Sequence, residues 1–189
     1  MENKITIEGI KSGNKDSFDK LYEEYHLQLY RTAFLILGNK EDSEDVLQET
    51  FISVFMNIHT LKDESKLIPW MFSILRNKAY SKYKKRQREF PDEDIYFRVD
   101  QNIQSNLEED FALIFDMRNY LMKLKPKERE VLVLYYYNDF TIEEIANICK
   151  TFKGTVKSRL HRARKQIKEE LNATSDYPKD PFLEEGVYE

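Results

Sequence analysis

Lys157, Ser158, Arg162 and Lys165 recur along one face of a segment near the C-terminus, while Val156 and Leu160 hold the other face at i, i+4. Cations at that spacing suit a polyanion. An α-helix fits the major groove of duplex DNA, where Arg or Lys can bridge guanine O6 and N7. A second set lies at 70–88, where Trp70, Phe72, Tyr80 and Tyr83 interleave with Arg76, Lys78, Lys82, Lys84, Lys85 and Arg86. Bases splayed from a single strand stack on such rings while cations follow the phosphates. The competing reading makes the rings core and the cations snorkelling side chains, and for Phe72 it is the stronger one. A third feature is the acidic stretch 41–49, with five acids and no base. Alone it is ordinary chemistry for a helix start, where the dipole favours negative charge.

Nothing is laid out for making or breaking bonds. The chain has no phosphate loop, no G-x-S-x-G, no H-E-x-x-H and no His close in sequence to a candidate nucleophile. The single Cys149 excludes an internal disulfide and a Cys zinc cluster, and His26, His59 and His161 are far apart. No cofactor and no metal site are expected, and the chain does not read as an enzyme. Cys149 is expected to be a small buried apolar residue.

The net charge of −4 conceals strong blocks. Residues 76–88 carry seven bases and no acid, and residues 150–168 carry eight bases and no acid. Between them, 89–116 carries nine acids against Arg98 alone; beyond them, 169–189 carries seven acids against Lys179 alone. Concentrated Lys and Arg release counterions on meeting a nucleic acid.

These residues need elements to hold them. With only five Gly and five Pro in 189 residues, the chain lacks the turns of an all-β fold. Helical spacing predicts a helix over 14–37, with Phe18, Leu21, Tyr22, Tyr25 and Leu29 on one face and Gly38-Asn39 as its stop. A second helix is predicted over 43–58, with Leu47, Phe51, Val54, Phe55 and Ile58 inward. Residues 59–68 read as loop, and Pro69 opens a helix that runs to about Arg88. Helical pattern resumes near Leu107, stops at Lys125-Pro126 and returns over 127–138, with Val131, Leu132, Leu134 and Tyr135 inward. Thr141 and Glu144 form a capping box for a short helix ending near Cys149, and the last helix spans about 154–171. Ala146 is small enough for close crossing of these two, the plan of a helix-turn-helix.

The expected fold is all-α, with two small helical domains: a helical domain over 1–90, an acidic linker over 91–106, a helix-turn-helix domain over 107–172 and an acidic tail over 173–189. No run of about 18 apolar residues exists, so no membrane insertion is expected. The first residues show no secretory-signal pattern. A cytoplasmic location is the expectation.

Three stretches in this order resemble the sigma factors of bacterial RNA polymerase, in the small extracytoplasmic-function group of the sigma-70 family. Residues 42–51 (DSEDVLQETF) are similar to the helix that docks on the polymerase clamp. Residues 69–80 (PWMFSILRNKAY), with the basic run after them, are similar to the helix that opens the −10 promoter element. Residues 154–164 (GTVKSRLHRAR) are similar to the recognition helix for the −35 element. The likeness covers about residues 10–172.

The resemblance implies roles. Asp42, Asp45, Gln48 and Glu49 would bind the clamp helices of core RNA polymerase, and part of 107–140 its flap. Asn77 would bind a flipped base of the non-template strand, with Trp70 and the loop residues Lys66 and Leu67 nearby. Ser81, Lys82 and Arg86 would touch that strand or its backbone. Thr155, Lys157, Ser158, Arg162 and Lys165 would face the −35 promoter DNA. The family is commonly held by an anti-sigma factor, often membrane-anchored, so such a partner and a stress-responsive role are expected, with the free chain a monomer. The alternative is a stand-alone helix-turn-helix transcriptional regulator. One departure concerns the turn: Lys150-Thr151 stands where the family usually has Gly and then an apolar residue. Lys lacks glycine's freedom at positive φ. A reshaped turn, with Phe152 filling the apolar site, is therefore expected.

Overall fold

The computed structural model describes residues 7–89 and 117–173. The segment expected as a linker (91–106), the helix expected from 107 up to residue 116, and the tail from 174 lie outside the described residues. Every regular element among the described residues is helical. The N-terminal unit holds α1 (Ile7–Lys11), α2 (Lys15–Leu37), α3 (Lys40–Asn57) and α4 (Leu67–Glu89), with short 3-10 turns at Ile58–Thr60 and Glu64–Lys66. The C-terminal unit holds α5 (described over 117–123), α6 (Pro126–Tyr136), α7 (Ile142–Ile148) and α8 (Lys153–Ala173).

Local chemistry sets the boundaries. Asn14 caps α2 by accepting from the Ser17 amide, and Asn39 caps α3 by accepting from the Asp42 amide. Between these helices Gly38 turns the chain at φ 69°, and a Cβ there would overlap the Met122 side chain of α5. Thr141 and Glu144 form the capping box that the spacing predicts. The helix expected from Pro69 begins two residues earlier, at Leu67, which leaves Pro69 in the first turn where its missing N–H is harmless.

Two expectations about packing fail. Phe55 does not face the core: it is 53% exposed, while Val46 and Thr50 take the inward positions of α3. Tyr22 is likewise 42% exposed. The helix α1 is missing from the sequence reading, yet it buries Ile7 and Ile10.

The two units share one core. Phe72 of α4 meets Phe140 edge-to-face at 4.9 Å between ring centroids. The Thr32 hydroxyl of α2 donates to Asn138 Oδ1 at 3.0 Å, both residues being buried. Arg118 of α5 donates from Nε to the Gly38 carbonyl at 2.9 Å, which satisfies an end group of α2.

Candidate nucleic-acid interface

The helix-turn-helix forms from α7 and α8. Ile145, Ala146, Val156 and Leu160 are buried where these helices meet, as small and branched side chains at a crossing should be. Lys150 adopts the left-handed conformation itself, at φ 48°, and the Thr151 amide closes the end of α7 on the Ala146 carbonyl at 2.9 Å. Phe152 fills no apolar site; it is 84% exposed, and its carbonyl accepts the Thr155 and Val156 amides at the head of α8. Backbone hydrogen bonds thus hold the turn against the side-chain cost at Lys150.

From α8, Lys157, Ser158 and Lys165 stand exposed. Ser158 returns its hydroxyl proton to the Gly154 carbonyl at 2.9 Å. Arg162 is 57% exposed, and its Nε donates to Glu128 Oε1 of α6 at 2.7 Å. Glu128 is itself 8% exposed, so the guanidinium is oriented by a nearly buried carboxylate. Lys153 is pinned to Glu143 of α7 at 2.7 Å, and that contact holds the Glu143 carboxyl below its ordinary range.

On α4, Phe72 is buried as core. Trp70 is half-buried and Asn77 exposed, and the two line one pocket of about 360 Å3 together with Ser53, Asn57, Thr60 and Lys78. The sequence reading missed the α3 side of that pocket. Ser53, Asn57 and Thr60 carry no spacing signal, being ordinary polar residues at a helix end. Tyr80 lies beneath two cations, with Arg76 at 5.2 Å and Lys84 at 4.8 Å from its ring centroid. Ser81 is exposed. Of the loop pair, Lys66 is exposed and 3.7 Å from Asp63, whereas Leu67 is buried in the core.

The acidic helix α3 runs beside α4. Asp45, Gln48 and Glu49 are exposed, and the stripe continues through Ile52, Phe55 and Met56, which are 52%, 53% and 67% exposed. That apolar continuation was invisible in the sequence, where Phe55 fitted an inward stripe equally well. Asp42 is half-buried against Lys82 and Arg86.

The surfaces of α4 and α8 face each other. Tyr80 and Tyr83 from α4, Lys127 and Glu128 from α6, and Arg159 and Arg162 from α8 line a single groove of about 730 Å3. Cys149 lies buried nearby. Burial first, and the Glu130 carboxylate second, push its thiol up to about 12, so it is inert at neutral pH. Among the described residues, no group of three or more His, Cys, Asp or Glu could hold a metal ion, and no helix is long and apolar enough to cross a membrane.

Comparison with known proteins gives this geometry a lineage. Residues 21–89 match the family of sigma-70 region 2, and residues 114–167 match that of sigma-70 region 4. The chain is 36% identical over 136 residues to the ECF RNA polymerase sigma factor EcfG of Rhodopseudomonas palustris, covering 71% of this chain and 74% of that one. It is 28% identical over 179 residues to the ECF sigma factor SigW of Bacillus subtilis, covering 89% and 96%. Among solved structures, it is similar to the sigma factor RpoE of Bartonella quintana in complex with the anti-sigma factor NepR, with a TM-score of 0.66, 29% identity and coverage of 82% and 96%. Region 2 thus supplies the α3 face and the α4 pocket, and region 4 supplies the helix-turn-helix. The chain belongs to the ECF sigma factors of the sigma-70 family, non-catalytic subunits of RNA polymerase that initiate transcription.

Proposed function

We propose that this sigma factor docks on the polymerase clamp through the exposed stripe of α3, melts the −10 element with α4 and reads the −35 element with α8. The pocket shared by Trp70 and Asn77 carries the reading. Unpairing a base costs a few kcal/mol, and a site that receives the flipped base by ring contact and amide hydrogen bonds offsets that cost. Trp70 supplies the ring and Asn77 the amide, beside the helix that would meet the polymerase. Lys66 would reach the strand, while Leu67, being buried, would anchor the loop. Ser81, Lys82 and Arg86 would follow the backbone.

In region 4, Lys157, Ser158 and Arg162 would reach base edges, with Thr155 and Lys165 at the margins and α5–α6 toward the flap. Glu128 would present the Arg162 guanidinium, its Nε already engaged, so that the terminal nitrogens meet guanine. The chain would work in the cytoplasm as a monomer until bound, under stress-responsive control. A partner of the anti-sigma class fits the likeness to the RpoE–NepR complex, and anchoring of that partner in the membrane would tie its release to a signal from outside.

The test is sedimentation of the chain with and without core RNA polymerase, followed by footprinting on promoter DNA. Co-sedimentation, with protection and melting only when core is present, is the expected result. Protection of duplex DNA by the chain alone, with no association with core, would overturn the proposal in favour of a free-standing regulator.

A further inference from the structure

Helices α3 and α4 are joined by a ladder of opposite charges. Arg86 Nη1 is 2.8 Å from Asp42 Oδ2. Lys82 Nζ is 2.6 Å from Asp45 Oδ2 and 3.5 Å from Asp42 Oδ1. Lys78 Nζ is 3.2 Å from Glu49 Oε2. The cations are spaced i, i+4, i+8 along α4 and the carboxylates i, i+3, i+7 along α3, so the rungs pair in antiparallel order. The hydrogen bond that Lys82 donates to Asp45 is the leading cause that holds its ammonium above the ordinary pKa.

This ladder does not hold the helices together. The core already does so through residues that include Val46, Val54, Leu75 and Ala79, all buried, and half-buried ion pairs add little net stability to that. The ladder instead brings together two sets of residues with different partners. Its carboxylates belong to the face assigned to polymerase, and Lys82 and Arg86 belong to the set assigned to the −10 strand. On that assignment, Asp42 and Asp45 compete with DNA phosphates for Lys82 and Arg86.

We infer that Asp42 and Asp45 hold Lys82 and Arg86 away from DNA in the free chain, and that a cationic polymerase surface, by taking these carboxylates, releases the two cations to the promoter strand. The inference rests on the assignment of α3 to polymerase and α4 to the −10 strand. It makes docking and strand capture one linked equilibrium, with each event favouring the other to the same degree. Asp45, 58% exposed beside its cation, is open to a competing partner.

The experiment measures binding of a fluorescent oligo(dT) strand of about 20 nucleotides by the full chain without polymerase, as a function of salt. Asp42→Asn with Asp45→Asn should tighten binding about fivefold and steepen the salt dependence by about one to two counterions. Glu41→Gln with Glu44→Gln makes the same change of charge on the same helix, at exposed positions, and should do markedly less. Equal gains from both pairs would overturn the inference, because net charge alone would then explain them. Adding Lys82→Ala and Arg86→Ala to the Asn pair should abolish the gain, and persistence of the gain would also overturn it. Should the double variant fold poorly, Asp45→Asn alone, at the more exposed rung, gives a smaller shift with the same logic. A separate arm tests the underlying assignment: Lys82→Ala with Arg86→Ala in the polymerase holoenzyme. Unimpaired promoter melting there would overturn both the assignment and the inference. Impaired melting without a gain from the Asn pair would overturn the inference alone.

Discussion

Arg76 of α4 donates from Nε to Glu130 Oε1 of α6 at 2.6 Å, across the boundary between region 2 and region 4. The side chains are only 15% and 8% exposed. A buried pair adds little net stability over an apolar one, but removing one partner strands the other charge.

Glu130→Gln is therefore expected to destabilise the packed arrangement by about 3 kcal/mol. Cys149 provides the reporter, since it is buried beside this pair and is the chain's single thiol. Alkylation of Cys149 should accelerate in the variant and on binding core polymerase. An unchanged rate in both cases would mean that the two regions stay together during function.

The same thiol gives a pH signature. Its folded pKa, about 12, lies above the ordinary value near 8.5, so the unfolded chain loses the proton first as pH rises. Its contribution to stability is complete below about pH 8.5 and is lost as pH climbs toward 12. Chemical denaturation between pH 8 and 11 should show stability falling with a slope approaching one proton, and Cys149→Ala should remove that component.

The helix-turn-helix turn carries strain at one residue. Lys150→Gly relieves a left-handed, non-glycine conformation and should raise stability by about 1 kcal/mol. Phe152→Ser should leave the melting temperature unchanged, because the ring is exposed. A loss of stability in the second variant would show that Phe152 packs inward after all.

Asn77→Ala should slow open-complex formation, followed by permanganate reactivity of the −10 strand, while core binding persists. Asn57→Ala, on the opposite wall of the pocket, should shift base preference at one position more than it lowers binding. Melting that survives Asn77→Ala unchanged would remove the pocket from the mechanism.

Arg162→Ala should cost about 1–3 kcal/mol at one promoter position if its terminal nitrogens bridge guanine. A uniform loss across all sequences would instead mark a phosphate contact. Glu128→Gln should show a weaker version of the same pattern, since Glu128 holds the guanidinium through its Nε.

Much of this architecture was legible in the sequence, for identifiable reasons. Capping residues and helical spacing located most of the helices, because Thr141, Glu144 and Pro69 act within one turn of themselves. The short α1 escaped because two isoleucines in five residues make no periodic pattern. Phe55 was misplaced because spacing shows which residues share a face, not whether another element covers it. The α3 wall of the pocket that holds Trp70 and Asn77 and the Arg76–Glu130 pair escaped for a related reason. Both depend on residues distant in the chain, and polar side chains at ordinary spacing give no sign of such meetings.

The groove shared by Tyr80, Tyr83, Arg159 and Arg162 sets a condition on promoter architecture. Elements numbered about 25 base pairs apart lie on the order of 80 Å apart along straight duplex, at about 3.4 Å per pair. No such stretch can present its two elements to opposite walls of one groove. With α4 and α8 in the proposed roles, the chain carries two readers and no ruler. On the proposed assignment, the spacer allowed between the promoter halves would be set by how far core polymerase holds region 2 from region 4, so a change of spacer length should be suppressed by changes in the polymerase rather than by substitutions in either reading helix.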